Sequence, residues 1–190
     1  MSLSTESHVI SESPENRETP LRDAQSWVTP AQLFFVRSHF DTPEVDINTW
    51  RLRIGGCARK ELELSWERLN ALPQRSVFST LECAGNGRSF LLPRVDGVQW
   101  RAGAVGHAEW SGVPLKYVLE EAGLADDVIE VVCTGMDRGN EKDHPDEMPF
   151  ARSLPVEKAR HPDTLLALRM NGEVLAPSHG YPLRLLVPGW

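Results

Sequence analysis

Cys83 ends a β-type run and opens a flexible, cationic loop, in the stretch Thr80-Leu-Glu-Cys-Ala-Gly-Asn-Gly-Arg-Ser89. Several chemistries suit a sulfur so placed. The glycine-rich backbone could cradle a phosphate, yet no Gly-Lys-Ser/Thr follows, so the lysine of a nucleotide loop is lacking. A nucleophilic cysteine needs a partnered base, and the flanking residues match neither the caspase nor the papain pattern. A thiolate metal ligand is favoured by Arg88, since a nearby guanidinium stabilises the deprotonated sulfur and soft sulfur selects thiophilic metals. A structural cysteine in a turn is the remaining reading. These ten residues by themselves leave the choice open.

Two other stretches carry cations. In Phe34-Phe-Val-Arg-Ser-His-Phe40, Arg37 and His39 stand two residues apart, on one side of an extended segment. In Ser178-His-Gly-Tyr-Pro-Leu-Arg184, His179 and Arg184 flank a Gly-Tyr-Pro turn near a strand start. Each alone reads as a solvated or hydrogen-bonded surface feature. With Arg88 they present several fixed cations in a chain whose net charge is −7. A guanidinium fork suits oxyanions with two or three oxygens, such as phosphate or sulfite.

The elements that must position these residues are short. Trp50, Leu52 and Ile54 alternate with arginines as a half-buried strand ended by Gly55-Gly56, and ELEL is a second strand. Ser65 caps a brief helix, WERLNAL, before Pro73, and SVFSTLE is the strand that delivers Cys83. Thr29-Pro30 reads as an N-cap and first helical position of a short turn. The clearest helix runs from Pro114 to Ala122, with Leu115, Val118, Leu119 and Ala122 on one face and Gly123 at its left-handed end. VIEVVCT is a buried-type strand, and the charged segment 135–149 reads as a surface or lid loop. TLLALRMNGEVL is a hairpin turning at Asn171-Gly172, followed by the strand LRLLV. Short strands and helices without βαβ alternation define an α+β class.

The composition bounds what these elements can be. With 190 residues, 41% hydrophobic and 25% charged, the chain reads as one soluble globular domain over 27–190, behind a disordered or surface-draped arm over 1–26. The acidic balance argues against nucleic acid, and no apolar run approaches the roughly 20 residues that span a bilayer. No export signal is visible, so the expected location is cytoplasmic. Three cysteines without a CxxC pair exclude a zinc ribbon and disfavour a disulfide framework. Cys57 reads as a turn residue and Cys133 as a strand core residue. The ending RLLVPGW, an apolar strand without a polar tail, reads as a domain cut short.

Seven stretches, FFVRSHFDTPEVD, TLECAGNGR, VQWRAGAVGHAEWSGVPLKYVLEEAGL, VCTGMDRG, FARSLP, LLALRMNG and SHGYPLRLLVPGW, occur in the order found in the molybdopterin-binding domain of the sulfite oxidase family. The chain resembles that family from about Leu33 to Trp190. The resemblance implies a mixed, β-rich fold with short helices and a molybdenum–molybdopterin cofactor. Cys83 would be the sole protein thiolate on the metal. Phe35, Val36, Arg37, Ser38 and His39 would line the cofactor, with Arg37 also facing the substrate. Asp137 would contact the pterin, and His179 and Arg184 would hold its terminal phosphate. Arg88 and Trp100 would complete the anion pocket.

The implied activity is oxygen-atom transfer, most simply oxidation of a sulfite-like oxyanion to sulfate, with electrons leaving singly to a separate acceptor such as a cytochrome. That places the protein in sulfur metabolism. Reduction of a sulfoxide, nitrate or similar oxo-compound on the same site, or a non-catalytic cofactor- and anion-binding module, are the alternatives. Phe150 stands where sulfite oxidases carry a substrate-facing tyrosine, and Ser38 replaces an asparagine. The family's C-terminal immunoglobulin-like domain, with its homodimer contact and a further arginine, would lie beyond Trp190. Neither nucleic acid nor membrane is an expected partner.

Overall fold

The computed structural model describes residues 7–22, 24–141 and 144–190. Strands β1 (His8–Glu12) and β2 (Glu15–Glu18) form a hairpin, and β3 (Val36–Arg37) pairs with β2. A two-stranded ribbon, β4 (Leu52–Ile54) and β5 (Leu62–Leu64), leads into α1 (Trp66–Asn70). Then come β6 (Arg75–Glu82), β7 (Val105–Pro114), α2 (Leu115–Ala122), β8 (Glu130–Gly139), β9 (Met148–Pro155), α3 (Val156–Ala159), β10 (Leu165–Met170), β11 (Glu173–Val174) and β12 (Arg184–Leu186). Among the described residues no helix is long and apolar enough to cross a membrane. The α+β, β-rich class holds.

The central sheet has the antiparallel order β11-β10-β7-β6, with β12 also pairing β10. Period-two alternation explains its composition. Leu165 and Ala167 of β10 enter a core with Phe34, Phe35, Trp100 and Trp110, while Leu166 and Leu168 enter a second core with Val118 and Leu119 of α2. Both faces are covered, so LLALRM is apolar almost throughout. Strands β7 and β10 approach so closely that a Cβ on Gly112 would lie 2.1 Å from the Leu166 carbonyl oxygen.

Local expectations hold where local chemistry decides. In α1 the Ser65 hydroxyl accepts from the Arg68 N–H at 3.2 Å. Helix α2 buries Leu115, Val118, Leu119 and Ala122, each worth about 1–3 kcal/mol if aliphatic, and Gly123 ends it at φ 67°. Asn171 and Gly172 turn the hairpin with φ of 51° and 84°. Cys57 is exposed, as a turn residue would be.

Four expectations change. Residues 8–18 of the arm form the β1–β2 hairpin rather than a disordered or draped segment. With the residue after it, the hairpin buries Asn16, Glu18 and Thr19, polar groups that carry no apolar periodicity. The segment 135–149 is not all loop: β8 continues to Gly139 and β9 begins at Met148, a ribbon with Arg138 opposite Pro149. VIEVVCT, in turn, is not a buried strand, since Ile129 and Val132 are exposed and Cys133 is only half-buried, its thiol pushed up by desolvation. Among the described residues that ribbon pairs only with itself, so one side meets solvent. Thr29 does not cap the turn after Pro30; its hydroxyl accepts the His107 N–H at 3.2 Å and ties the turn to β7.

Candidate functional site

Strand β6 ends at Glu82, and Cys83 is the first residue past the ladder. Its N–H donates to the Ala104 carbonyl at 2.9 Å, and its sulfur accepts the Gly85 N–H at 3.4 Å. The half-buried thiol packs against the core of Phe34, Phe35 and Trp100. The loop folds back on the strand entering β7: Asn86 Oδ1 accepts the Ala104 N–H at 3.0 Å, Gly87 N–H reaches the Arg101 carbonyl at 2.5 Å and Ser89 N–H the Trp100 carbonyl at 2.9 Å. Cys83, Arg88 and Trp100 are therefore one unit. Trp100 is wholly buried, and its indole N–H has no partner.

The Arg88 guanidinium lies across two glycines and donates to the Val98 carbonyl at 3.3 Å. A Cβ on Gly85 would come within 2.9 Å of it, and one on Gly97, at φ 111°, within 2.2 Å. These glycines serve close approach of a cation, which the loop's composition alone did not reveal.

The segment 34–40 threads past every other part of the site. The Phe34 ring lies where a Gly106 Cβ would be and meets the His179 and Trp110 rings edge-on at 5.7 and 5.8 Å. Phe35 and Val36 are buried, while the exposed Arg37 has its Nη2 3.3 Å from His39 Nδ1 and also donates to the Ser38 carbonyl. Ser38 donates its N–H to Glu15 at 3.2 Å. His39 bonds Glu141, and its ring stands 5.4 Å from that of Phe150, over which Arg152 lies at 4.3 Å. Phe40 fills the space a Gly139 side chain would take, so 34–40 also packs on the β8–β9 ribbon. Asp137, on β8, turns its carboxylate back over Gly135.

His179 is 4% exposed; its Nε2 faces the Ala31 carbonyl at 3.0 Å, which makes Nε2 the donor and leaves Nδ1 bare and unpartnered. Burial holds the imidazole below its ordinary pKa, with Arg184 lowering it further and the Ala31 bond and Glu15 opposing. Arg184 rests over the Trp110 ring at 5.3 Å, donates to the His179 carbonyl at 3.4 Å and is itself pulled below its ordinary value by burial. A groove bordered by Glu15, Arg17, Phe34, Val36, Ser178 and His179 opens beside the imidazole.

The fold thus brings Cys83, Arg88 and Trp100 together, joins them to Phe35 through one core, and joins His179 and Arg184 to that core through Phe34 and Trp110. Arg37, His39 and Asp137 lie on or beside the ribbon side of the same segment. Sequence reading missed Gly97, Trp110 and the hairpin residues Glu18 and Thr19. For Gly97 the signal was available, a glycine between Asp96 and Val98 in a loop that returns to the cysteine.

A family model described as "Oxidoreductase molybdopterin binding domain" matches residues 39–190. The chain is 38% identical over 185 residues to the mitochondrial sulfite oxidase of Drosophila melanogaster, covering 94% of this chain and 31% of that protein. It is 31% identical to the NADH nitrate reductase of Petunia hybrida, across 93% of this chain and 20% of that one. In fold it is similar to the sulfane dehydrogenase SoxCD from Paracoccus pantotrophus, with a TM-score of 0.78 and 32% identity over 95% of this chain and 44% of the other. The chain spans 31% of the length of the fly sulfite oxidase and 34% of the human one.

Proposed function

Because the chain belongs to the oxidoreductase molybdopterin-binding domain family, we propose that it is the catalytic unit of a sulfite-oxidising enzyme, with electrons passed to a separate acceptor such as a cytochrome. It is a molybdopterin oxidoreductase domain, and its cofactor is molybdenum-bearing molybdopterin. Cytoplasmic location, and dimerisation where a C-terminal domain of the sulfite oxidase kind is present, belong to the same proposal.

The residues fit that group. Among the described residues no cluster of three or more His, Cys, Asp or Glu could hold a metal, so a metal at Cys83 requires donors brought by its own ligand, as a dithiolene pterin brings them. Two buried polar atoms without partners, Trp100 Nε1 and His179 Nδ1, belong to residues the sequence assigned to the site. A polar, multi-ring cofactor gives such atoms something to bond.

When bound, the cofactor supplies two-electron oxygen-atom transfer. The chain does the rest. Cys83 holds the metal from a rigid strand end. Arg88, with Arg37, binds and orients the oxyanion, each guanidinium contact worth about 1.5–3 kcal/mol. Trp100, wholly buried behind the cysteine loop, backs the site and keeps water from beneath it, which strengthens those contacts. His179 and Arg184 hold the cofactor's phosphate, Asp137 its pterin, and Phe35, Val36, Ser38 and His39 line it.

The observation that carries the proposal is the half-buried Cys83 thiol at a strand end, opening the loop that carries Arg88. The experiment is metal analysis after expression in a host that makes the cofactor, with steady-state sulfite oxidation by an artificial acceptor. Stoichiometric molybdenum lost in Cys83→Ser, together with saturable turnover, supports it. A folded protein without molybdenum sinks it.

Phe150 and the nitrate reductase likeness favour a second reading, reduction of nitrate or a sulfoxide. Phe150 offers the substrate no hydroxyl. Turnover of nitrate or sulfoxide with a reduced dye, and none of sulfite, would select it.

A further inference from the structure

The β1–β2 hairpin touches both halves of the site. On one side, β2 pairs with β3: Asn16 stands opposite Arg37 and Arg17 opposite Val36, and Ser38 N–H reaches the Glu15 carbonyl. On the other side, the last residue of β2 and the one after it grip the strand entering β7. The Glu18 carboxylate, 5% exposed, accepts the Arg101 N–H. Thr19, 3% exposed, donates its N–H to the Gly103 carbonyl and its hydroxyl to the Val105 carbonyl, both at 2.8 Å. Contact is close enough that a Cβ on Gly103 would lie 2.4 Å from the Thr19 carbonyl oxygen.

What the hairpin grips is what holds the cysteine loop. Arg101 gives its N–H to Glu18 and its carbonyl to Gly87, while Ala104, three residues further along, accepts the Cys83 N–H. A peptide that donates to a carboxylate is also a better acceptor at its own carbonyl, which for the Arg101 N–H is that of Trp100, the acceptor of the Ser89 N–H. The buried carboxylate and the Gly87 N–H thus act on opposite ends of one residue. The family match begins at residue 39 and leaves this hairpin out.

We infer that the hairpin is a clamp for the site, with Glu18 as its positioning residue: through Arg101 it sets the Cys83–Arg88 loop, and through β2 it sets Arg37 against that loop. Glu18 acts through the backbone it holds, fixing where the Cys83 thiol stands relative to the two arginines. The inference rests on the reading of Cys83, Arg88 and Arg37 as site residues.

The test is amide hydrogen exchange on the full chain, wild type against Glu18→Ala and Glu18→Gln, with molybdenum per chain measured in the same samples. Glu18→Ala removes the acceptor, so the Gly87 and Ser89 amides should exchange about tenfold faster while helix α2 keeps its protection. Glu18→Gln keeps a carbonyl acceptor and should restore exchange to within about twofold of wild type. Molybdenum retention should fall in Glu18→Ala and recover in Glu18→Gln. Unchanged exchange in the loop, or equal acceleration in α2, overturns the clamp. If Glu18→Ala does not fold, Thr19→Val carries the same comparison: faster exchange confined to 83–105 supports the clamp, while uniform or no acceleration overturns it. Wild-type protein that never binds molybdenum would instead overturn the proposed function and leave the exchange result standing.

Discussion

Gly97→Ala should impair the anion site through Arg88 alone. The added methyl would sit 2.2 Å from Arg88 Nη1 and 2.9 Å from Cζ, where ordinary contact begins near 3.4 Å. The guanidinium must therefore swing by more than an ångström and give up its 3.3 Å bond to Val98. If Arg88 makes one charge-assisted contact to the oxyanion, its loss costs about 1.5–3 kcal/mol, or roughly a 10- to 150-fold fall in kcat/KM for sulfite. Separately, alanine at φ 111° is strained by about 1–3 kcal/mol, lowering Tm by roughly 3–10 °C for a chain of this size. Molybdenum content should not change, because Cys83 bonds elsewhere. The decisive assay is a double-mutant cycle with Arg88→Met: once the guanidinium is gone, Gly97→Ala should alter kcat/KM by less than about 0.5 kcal/mol. If the full penalty persists in the Arg88→Met background, the glycine does not act through the arginine and the reasoning is refuted.

Arg184→Ala should lower molybdenum retention during dialysis, whereas Arg88→Met should keep the metal and weaken sulfite use; the reverse pattern in metal analysis would overturn the division of roles. His179 has a folded pKa below its ordinary 6.5, so the unfolded chain takes up a proton first. Its contribution to stability is complete above about pH 6.5 and is lost as pH falls from there toward the folded value, at no more than about 1.4 kcal/mol per pH unit. Urea midpoints between pH 8 and 5 should show this slope in the cofactor-free protein and less of it in His179→Gln. Gly112→Ala, whose methyl would meet the Leu166 carbonyl on β10, should cost about 1–3 kcal/mol or more in urea unfolding without touching the site.

Much of the local structure was legible because local rules produce it. Ser65 caps α1, the spacing of Leu115, Val118, Leu119 and Ala122 makes α2, and Asn171-Gly172 makes a turn. The errors came where burial and polarity part company. The hairpin over 8–18 and the residue after it bury Asn16, Glu18 and Thr19, whose packing is largely hydrogen bonding to neighbouring backbone, so a search for apolar alternation passes over them. The β8–β9 ribbon errs the other way: Ile129 and Val132 read as core but stand in solvent beside or on a sheet of two strands.

The sequence by itself determined the chemistry on offer: one cysteine at a strand end before a glycine-rich turn, arginines and histidines in an acidic chain, and the ordered motifs that carry the family. Residue type sets softness, charge and hydrogen-bonding capacity, and none of these needs a partner to be known. Only the tertiary structure decided who meets whom. Strand order β11-β10-β7-β6, the approach of Gly97 to Arg88, and the grip of Glu18 on the Arg101 peptide join residues 9 to 83 positions apart. Such contacts depend on how three separate segments pack at once, because each is held by backbone groups that every residue carries alike.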